Sequence, residues 1–238
     1  DILERLGLLK MDFLGLRNLT VIDECEKMVK KTRGITVKYD DNYDDPNVFE
    51  LWKNADTLGV FQFESEGMIR FMKELAPDSL EDIIAGVSLY RPGPMDQIPR
   101  YIEGKKNRKS IKYLHEKLEP ILDVTYGCMV YQEQVMQITR ELAGYSYARA
   151  DIVRRAMGKK KIDVMEKERE IFINGLVEDG KVIVPGCVRN GVSEDIANEI
   201  FDEMYEFAKY AFNKSHAAAY SILSYKTAYL KTYYKEEL

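Results

Sequence analysis

The sequence predicts a mainly α-helical protein, a bundle of many helices with one short strand segment at its amino-terminal end. Helix punctuation supports this prediction, because residues that favour helix starts and glycines that favour helix ends recur along the chain. With 238 residues, of which 45% are hydrophobic and 11% aromatic, the chain can bury a sizeable core. This composition excludes an intrinsically disordered protein.

The amino-terminal segment differs from the rest of the chain. In residues 2–14, apolar residues flank Lys10 and Asp12, the alternation expected of a strand with both charges on one face. We interpret the segment as a strand from a neighbouring domain. The chain starts without Met and ends directly after a helical pattern, so we expect it to be a piece of a longer protein.

The helices that follow are predicted from their caps and from apolar periodicity. Their expected ranges are 20–32, 47–54, 66–75, 80–90, 131–143, 147–157, 162–178, 194–208 and 215–235. Residues 58–63 are predicted to form a strand, since they are a short apolar run. Residues 90–99 and 182–191 are expected to be irregular because they are rich in Pro and Gly.

Charge is distributed unevenly along the sequence. The formal net charge of −5 excludes a uniformly basic surface for nucleic acid. Positive residues nevertheless concentrate in residues 100–112, 149–161 and 207–235, and the last of these segments contains no acidic residue. If the three segments share one face, that face would bind a polyanion. Alternatively, each is an ordinary solvated helix face.

Several common kinds of site are disfavoured. Cys25, Cys128 and Cys187 are odd in number and widely spaced, which predicts buried thiols rather than a disulfide framework or a zinc site. Residues 175–182 are close to a phosphate-binding loop but carry Val182 where Ser or Thr would hold Mg²⁺. No signal peptide or membrane-spanning run is evident, so we expect a cytoplasmic protein without membrane contact.

Two adjacent arginines form the first candidate binding element. Arg154 and Arg155 lie in a predicted helix, where neighbouring side chains point about 100° apart and can hold an anionic ligand from two sides. Lys159, four residues beyond Arg155, extends the positive stripe. Guanidinium groups bind phosphate oxygens in bidentate fashion, which suits a triphosphate. The alternative is that Asp151 pairs with Arg154 or Arg155 in ordinary surface ion pairs.

A second candidate is the start of the last predicted helix. Residues 213–216 read Asn-Lys-Ser-His and precede three alanines, whose small side chains let a flat ligand approach. The backbone amides at a helix start favour an anion. His216 could bind a base or a phosphate, or it could be satisfied by the local backbone. A stripe at helical spacing further along is expected to face the core: Ile222, Tyr225, Tyr229 and Tyr233.

Lys10 and Asp12 form a third candidate. They lie two apart on the predicted strand and therefore share one side. A carboxylate beside an amine suits Mg²⁺-dependent phosphoryl transfer, since the carboxylate binds metal and the ammonium binds phosphate. One carboxylate does not make a two-metal site, and a surface ion pair is the alternative.

Six stretches together resemble one protein family, the bacterial DNA polymerase III alpha subunits, which are C-family replicative polymerases. They are long, occur in the order found in the family, and span nearly the whole chain. The matching stretches are residues 10–20, 59–68, 88–95, 130–136, 154–160 and 212–220.

The resemblance implies roles for the candidate residues. Residues 1–19 would be the end of the palm domain and residues 20–238 the helical fingers domain. Asp12 would be one of three metal-binding palm carboxylates, with Lys10 beside the incoming triphosphate. Arg154 and Arg155 would contact the nucleotide phosphates. The remaining expected nucleotide-binding residues are Lys159, Asn213, Ser215 and His216.

The implied activity is that of a DNA-directed DNA polymerase in chromosomal replication. It would add deoxynucleoside triphosphates to a primer 3′ end with Mg²⁺, on primer–template DNA and together with other replisome subunits. The other two palm carboxylates lie outside this chain in such proteins, so we expect the chain alone to be inactive. The alternative is a non-catalytic helical module that binds nucleic acid or an acidic partner through its basic stripe.

Overall fold

The computed structural model describes residues 6–8, 11, 15–158, 162–208 and 210–238. The protein is mainly α-helical, as the sequence predicts. Of the predicted strand over residues 2–14, only residues 6–8 and 11 are described, so this prediction lies largely outside the described residues. The α-helices of the described part are α1 (Arg17–Arg33), α2 (Pro46–Lys53), α3 (Glu66–Leu75), α4 (Leu80–Leu89), α5 (Ile98–Lys106), α6 (Glu119–Leu122), α7 (Gln132–Ala143), α8 (Tyr147–Gly158), α9 (Ile162–Asn174), α10 (Gly186–Arg189), α11 (Glu194–Ala208) and α12 (Lys214–Tyr233).

Capping residues place several helix ends where the sequence predicts them. The Ser65 hydroxyl accepts a hydrogen bond from the Met68 amide at 3.4 Å, and Ser79 accepts one from the Asp82 amide at 3.3 Å. Gly34 ends α1 in the left-handed conformation, with φ of +69°, and donates its amide to a carbonyl of the last turn. The predicted range 194–208 is that of α11.

Two helix boundaries differ from prediction by three or more residues. Helix α1 begins three residues early, at Arg17, and no side chain caps it, so Thr20 is not its cap. Helix α9 ends at Asn174 instead of continuing to 178, because Gly175 turns the chain with φ of +85°. The chain then enters a two-stranded antiparallel hairpin of β1 (Leu176–Glu178) and β2 (Lys181–Val184). The stretch that is close to a phosphate-binding loop is therefore a hairpin.

The strand prediction for residues 58–63 is wrong. This segment forms successive turns, in which Gln62 has a positive φ of +66°. Val60 and Phe63 are fully buried, whereas Leu58 is 76% exposed. The Thr57 hydroxyl donates to the Phe63 carbonyl at 2.6 Å and closes the turn. The apolar residues thus anchor a loop to the core and do not pair with another strand.

The two segments predicted to be irregular contain short regular elements. A 3₁₀ turn occupies Pro94–Gln97, and α5 begins directly after it. In the second segment, β2 runs up to Val184 and the short helix α10 follows from Gly186. Pro and Gly therefore mark the boundaries of these elements.

The helices pack around two main hydrophobic clusters. The first core joins α2 to α5 with the last helix, α12, and its largest buried side chain is that of Trp52. The second core joins α6 to α11 and contains the ring pair Phe172 and Phe201. Helix α1 covers one side of α12 through a smaller cluster. The predicted burial of the three cysteines is confirmed, and Cys128 lies in the first core and Cys187 in the second.

Two of the places where the chain passes between the two cores are neighbours. Tyr131 is buried in the first core, whereas Val135, one turn into α7, is buried in the second. The chain returns from Phe207, which packs on the second core, to Phe212, which packs on the first. Tyr131 and Phe212 form a parallel β-bridge. The two crossings are therefore fastened to each other, and we call them the junction.

Candidate functional site

Three predicted site residues lie outside the described residues. They are Lys10, Asp12 and Lys159, and their predicted roles stay predictions. Among the residues that the structure does describe, no group of three or more His, Cys, Asp or Glu side chains is arranged to hold a metal ion. The remaining candidates are on α8 and at the start of α12.

Arg154 is held by two different helices. Its Nε and Nη2 atoms donate to Oδ1 of Asp151 at 2.8 and 2.7 Å. Its Nη1 atom donates to Oε1 of Gln132, the first residue of α7, at 3.0 Å. The side chain is 28% exposed. Arg154 is thus oriented before any ligand binds.

Arg155 is more exposed and pairs with the same carboxylate. Its Nε atom lies 2.7 Å from Oδ2 of Asp151, and its side chain is 68% exposed. Hydrogen bonding from Arg154 and the charges of both arginines hold the pKa of Asp151 below its usual range. The surface ion pairs that the spacing allowed are therefore present. Two cations share one anion, which leaves one net positive charge for a ligand.

Asn213, not Ser215, caps α12. Its Oδ1 atom accepts the His216 amide at 2.9 Å, and its Nδ2 atom donates to Glu133 Oε1 at 2.9 Å. The Lys214 amide donates to Glu133 Oε2 at 3.1 Å. A carboxylate therefore lies at the positive end of this helix, where an anion is favoured. The predicted anion-binding position is already used by a side chain of α7.

His216 belongs to a row of aromatic rings. Its imidazole lies 5.5 Å from the ring of Phe212 and 4.5 Å from that of Tyr220, measured between centroids. Tyr220 in turn lies 5.6 Å from Phe61. His216 itself is exposed. The side-chain oxygen of Asn213 therefore accepts the His216 amide, while neighbouring rings position the imidazole.

The core-facing stripe of α12 is confirmed only in part. Tyr225 is fully buried, and its hydroxyl donates to Asp40 at 2.8 Å. Tyr229 is half-buried, whereas Tyr233 reaches the surface. Ile222 is also only half-buried, so Tyr225 alone of the four predicted residues is fully buried.

The structure adds residues that the sequence patterns did not single out. Gln132 and Glu133 connect α7 to Arg154 and to the start of α12, respectively. The guanidinium of Arg91 lies 4.0 Å above the ring of Phe212 and donates to the Tyr210 carbonyl at 3.0 Å. Burial lowers the pKa of Arg91. The available signal was a run of polar residues, Gln-Glu-Gln, in the first turn of a helix.

A cavity of about 450 Å³ lies elsewhere, between the Pro94–Gln97 turn and the end of α11. Carboxylates dominate its polar lining, and burial raises the pKa of Glu203. Arg100 lies 3.9 Å from Glu203 in the same lining. An acidic wall repels a triphosphate, so this cavity is a poor candidate for that ligand. Its acidic lining residues are Asp96, Asp202, Glu203 and Glu206.

Comparison with known proteins identifies the family. Residues 18–180 match the family described as the bacterial DNA polymerase III alpha subunit finger domain. The chain is 52% identical to DNA polymerase III subunit alpha of Thermus aquaticus over 98% of its length, which is 19% of that protein. The subunits of Staphylococcus epidermidis and Bacillus subtilis are 47% and 46% identical over 97% and 98% of this chain, which are 21% and 20% of those proteins.

The chain belongs to the bacterial DNA polymerase III alpha subunit family and contains its finger domain. It spans about a fifth of the length of these relatives. The resemblance drawn from the six sequence stretches is confirmed. Within the part of the chain that the structure describes, no helix is long and apolar enough to cross a membrane.

Proposed function

We propose that this chain binds the incoming deoxynucleoside triphosphate for a DNA-directed DNA polymerase in the cytoplasm, which extends a primer 3′ end during chromosomal replication. The supporting observation is that the junction joins Arg154 to the residues that precede α12. Gln132 contacts both, through Arg154 Nη1 at 3.0 Å and the Ala211 carbonyl at 3.3 Å. Two candidate elements that are 59 residues apart in sequence are thereby brought together.

The arginines would act by charge and geometry. Asp151 neutralises one of two positive charges, so the Arg154–Arg155 pair retains a net attraction for phosphate. Because Arg154 is already oriented, little side-chain entropy is lost when it meets a phosphate oxygen. The exposed Arg155 would follow the ligand. Asn213, Ser215 and His216 would line the other side of the nucleotide, with His216 held in its row of rings.

Mg²⁺ is part of this proposal. Asp12 would supply one carboxylate ligand and Lys10 an ammonium group near the triphosphate, with further carboxylates coming from outside this chain. The bound metal would supply Lewis-acid stabilisation of the reacting phosphate. The other partners would be primer–template DNA and further replisome subunits. We expect the isolated chain to be inactive, and nucleotide incorporation by it on a primed template would contradict this.

The test replaces both arginines in the full-length polymerase that contains this chain. Arg154→Ala with Arg155→Ala is expected to lower kcat/KM for the incoming nucleotide about 100-fold, because two charged contacts to phosphate are lost. The KM for primer–template should stay at the unsubstituted value. Steady-state incorporation of a single nucleotide measures both quantities.

A control with the same change of charge is available on α3. Arg70 and Lys73 are exposed there, so Arg70→Ala with Lys73→Ala also removes two positive charges. This control should leave nucleotide use unchanged. If the Arg154, Arg155 variant instead raises only the KM for primer–template, the non-catalytic nucleic-acid-binding alternative is favoured over the proposed role.

A further inference from the structure

Gln132 lies where the chain crosses between the two cores. Its backbone amide donates to the Phe212 carbonyl at 2.9 Å, within the bridge that fastens the two crossings. The neighbouring Tyr131 is fully buried in the first core. On the other side of Gln132, α7 enters the second core. A shift of one core relative to the other would therefore change the contacts of Gln132.

The side-chain amide of Gln132 serves two partners with opposite requirements. Oε1 accepts from Arg154 Nη1 at 3.0 Å, while Nε2 donates to the Ala211 carbonyl at 3.3 Å. A guanidinium group can only donate and a carbonyl can only accept, so these partners fix the orientation of the amide. A carboxylate at this position would be repelled by the carbonyl. An aliphatic side chain would satisfy neither partner.

The other strong contact of Arg154 cannot replace this link. Asp151 lies on the same helix as Arg154, so their ion pair orients the guanidinium only relative to α8. The Gln132 contact orients it relative to the chain segment that leads into α12. Glu133, the next residue, holds the Lys214 amide of α12 at 3.1 Å. Consecutive residues of α7 therefore hold both sides of the candidate site.

We infer that Gln132 is a positioning residue for nucleotide binding, which sets the guanidinium of Arg154 in register with the start of α12. The inference rests on the proposed function. Bidentate binding of phosphate requires the guanidinium fork to be within a narrow range of orientations. Losing the link leaves the charge of Arg154 in place but lets its orientation relative to α12 vary.

The experiment is a double-mutant cycle in the full-length polymerase that contains this chain. Gln132→Met removes both side-chain hydrogen bonds at nearly constant volume. It is expected to raise the KM for the incoming nucleotide about 5- to 10-fold, the upper range for the loss of one ordinary hydrogen bond. The KM for primer–template should not change. Gln137→Met alters an exposed glutamine of the same helix and should behave as the unsubstituted enzyme.

Coupling to Arg154 separates positioning from a merely structural role. In an Arg154→Ala background, Gln132→Met should change the nucleotide KM by less than about 2-fold, because the group that it positions is gone. A structural role would lower the melting temperature and act equally in both backgrounds. Full multiplication of the two effects on KM would therefore overturn the inference.

Two further outcomes distinguish this inference from the proposed function. If Arg154→Ala raises the nucleotide KM but Gln132→Met leaves it unchanged, the inference fails and the proposed function stands. If Arg154→Ala itself leaves the nucleotide KM unchanged, both fail. The supporting result is a raised KM in each single variant with little further effect in the double variant.

Discussion

The two cores differ in how the chain builds them. The second core draws all its residues from one stretch of sequence, Tyr113 to Phe207, so its helices meet over short connections. A short segment of this stretch, residues 126–131, also contributes to the first core. The first core combines α2 to α5 with α12, which begins more than 100 residues further along the chain. It is also the more aromatic of the two, with Trp52 in contact with Phe49 and Phe63. The first core is therefore complete only when the end of the chain returns to it.

This difference bears directly on the candidate site. Arg154 and Arg155 lie on α8 of the second core, whereas Asn213 and His216 lie at the start of α12 in the first. Neither core contains both sets. The junction connects the two sets through Gln132 and Glu133. If the two cores are separable, a substitution in one core should open that core more than the other.

The largest effect is expected from emptying one core at a time. Trp52→Ala and Phe172→Ala should each lower the free energy of unfolding by about 3–5 kcal/mol, because both side chains are fully buried. Cys128 and Cys187 report on the two cores, and burial raises their pKa values to about 11 and about 12. Their thiols react only when a core opens.

Thiol labelling of the full-length protein, resolved by peptide mass spectrometry, measures this opening. Trp52→Ala should accelerate labelling of Cys128 more than that of Cys187, and Phe172→Ala should do the reverse. If labelling of both thiols accelerates equally in both variants, the two cores open as one unit. Their free energies of opening would then be the same.

A smaller effect is expected at the cap of α12. Asn213→Ala removes the side-chain oxygen that accepts the His216 amide and should lower the free energy of unfolding by about 1 kcal/mol. Ser215→Ala, two residues further on, should change it by less than about 0.5 kcal/mol, since Ser215 is exposed and does not cap the helix. Denaturant unfolding measures both. Equal losses would contradict the assignment of the cap.

The smallest effect concerns the pH dependence of the first core. Lys231 is 8% exposed and its ammonium lies 2.6 Å from Asp56. Hydrogen bonding from Lys231 lowers the folded-state pKa of Asp56 below the ordinary value of 3.8. Its contribution to stability is therefore present above that ordinary value and is lost as the pH falls through the lowered folded-state pKa. The difference between the melting temperatures at pH 7 and pH 3 should therefore be smaller in Asp56→Asn than in the unsubstituted protein.

Local chemistry explains which elements the sequence predicts well. Caps act within one helical turn. Two helices begin where Ser65 and Ser79 predict, and α1 ends where Gly34 predicts. The strand prediction for residues 58–63 was wrong although the segment is apolar. A positive φ at Gln62 and the hydrogen bond from the Thr57 hydroxyl to the Phe63 carbonyl fold it into turns. Neither feature is visible in hydrophobic periodicity.

In the candidate site, too, contacts within one helix were predictable and contacts between helices were not. The spacing of Asp151 before Arg154 and Arg155 was sufficient to predict an ion pair with either arginine, because all three lie on one helix, and the structure shows both pairs. Gln132 and Glu133 were missed because their partners lie 22 to 81 residues away and meet them only through tertiary packing. Lys10, Asp12 and Lys159 stay predictions.

The proposed function requires that elements of both cores bind one nucleotide at the junction. Hydrogen–deuterium exchange of the full-length polymerase on primer–template, with and without the next correct nucleotide, tests it most directly. With the nucleotide bound, we expect slower exchange both at the carboxyl-terminal half of α8, residues 151–158, and in the first turn of α12, residues 213–217. Protection of only one of these segments, or of neither, would contradict it.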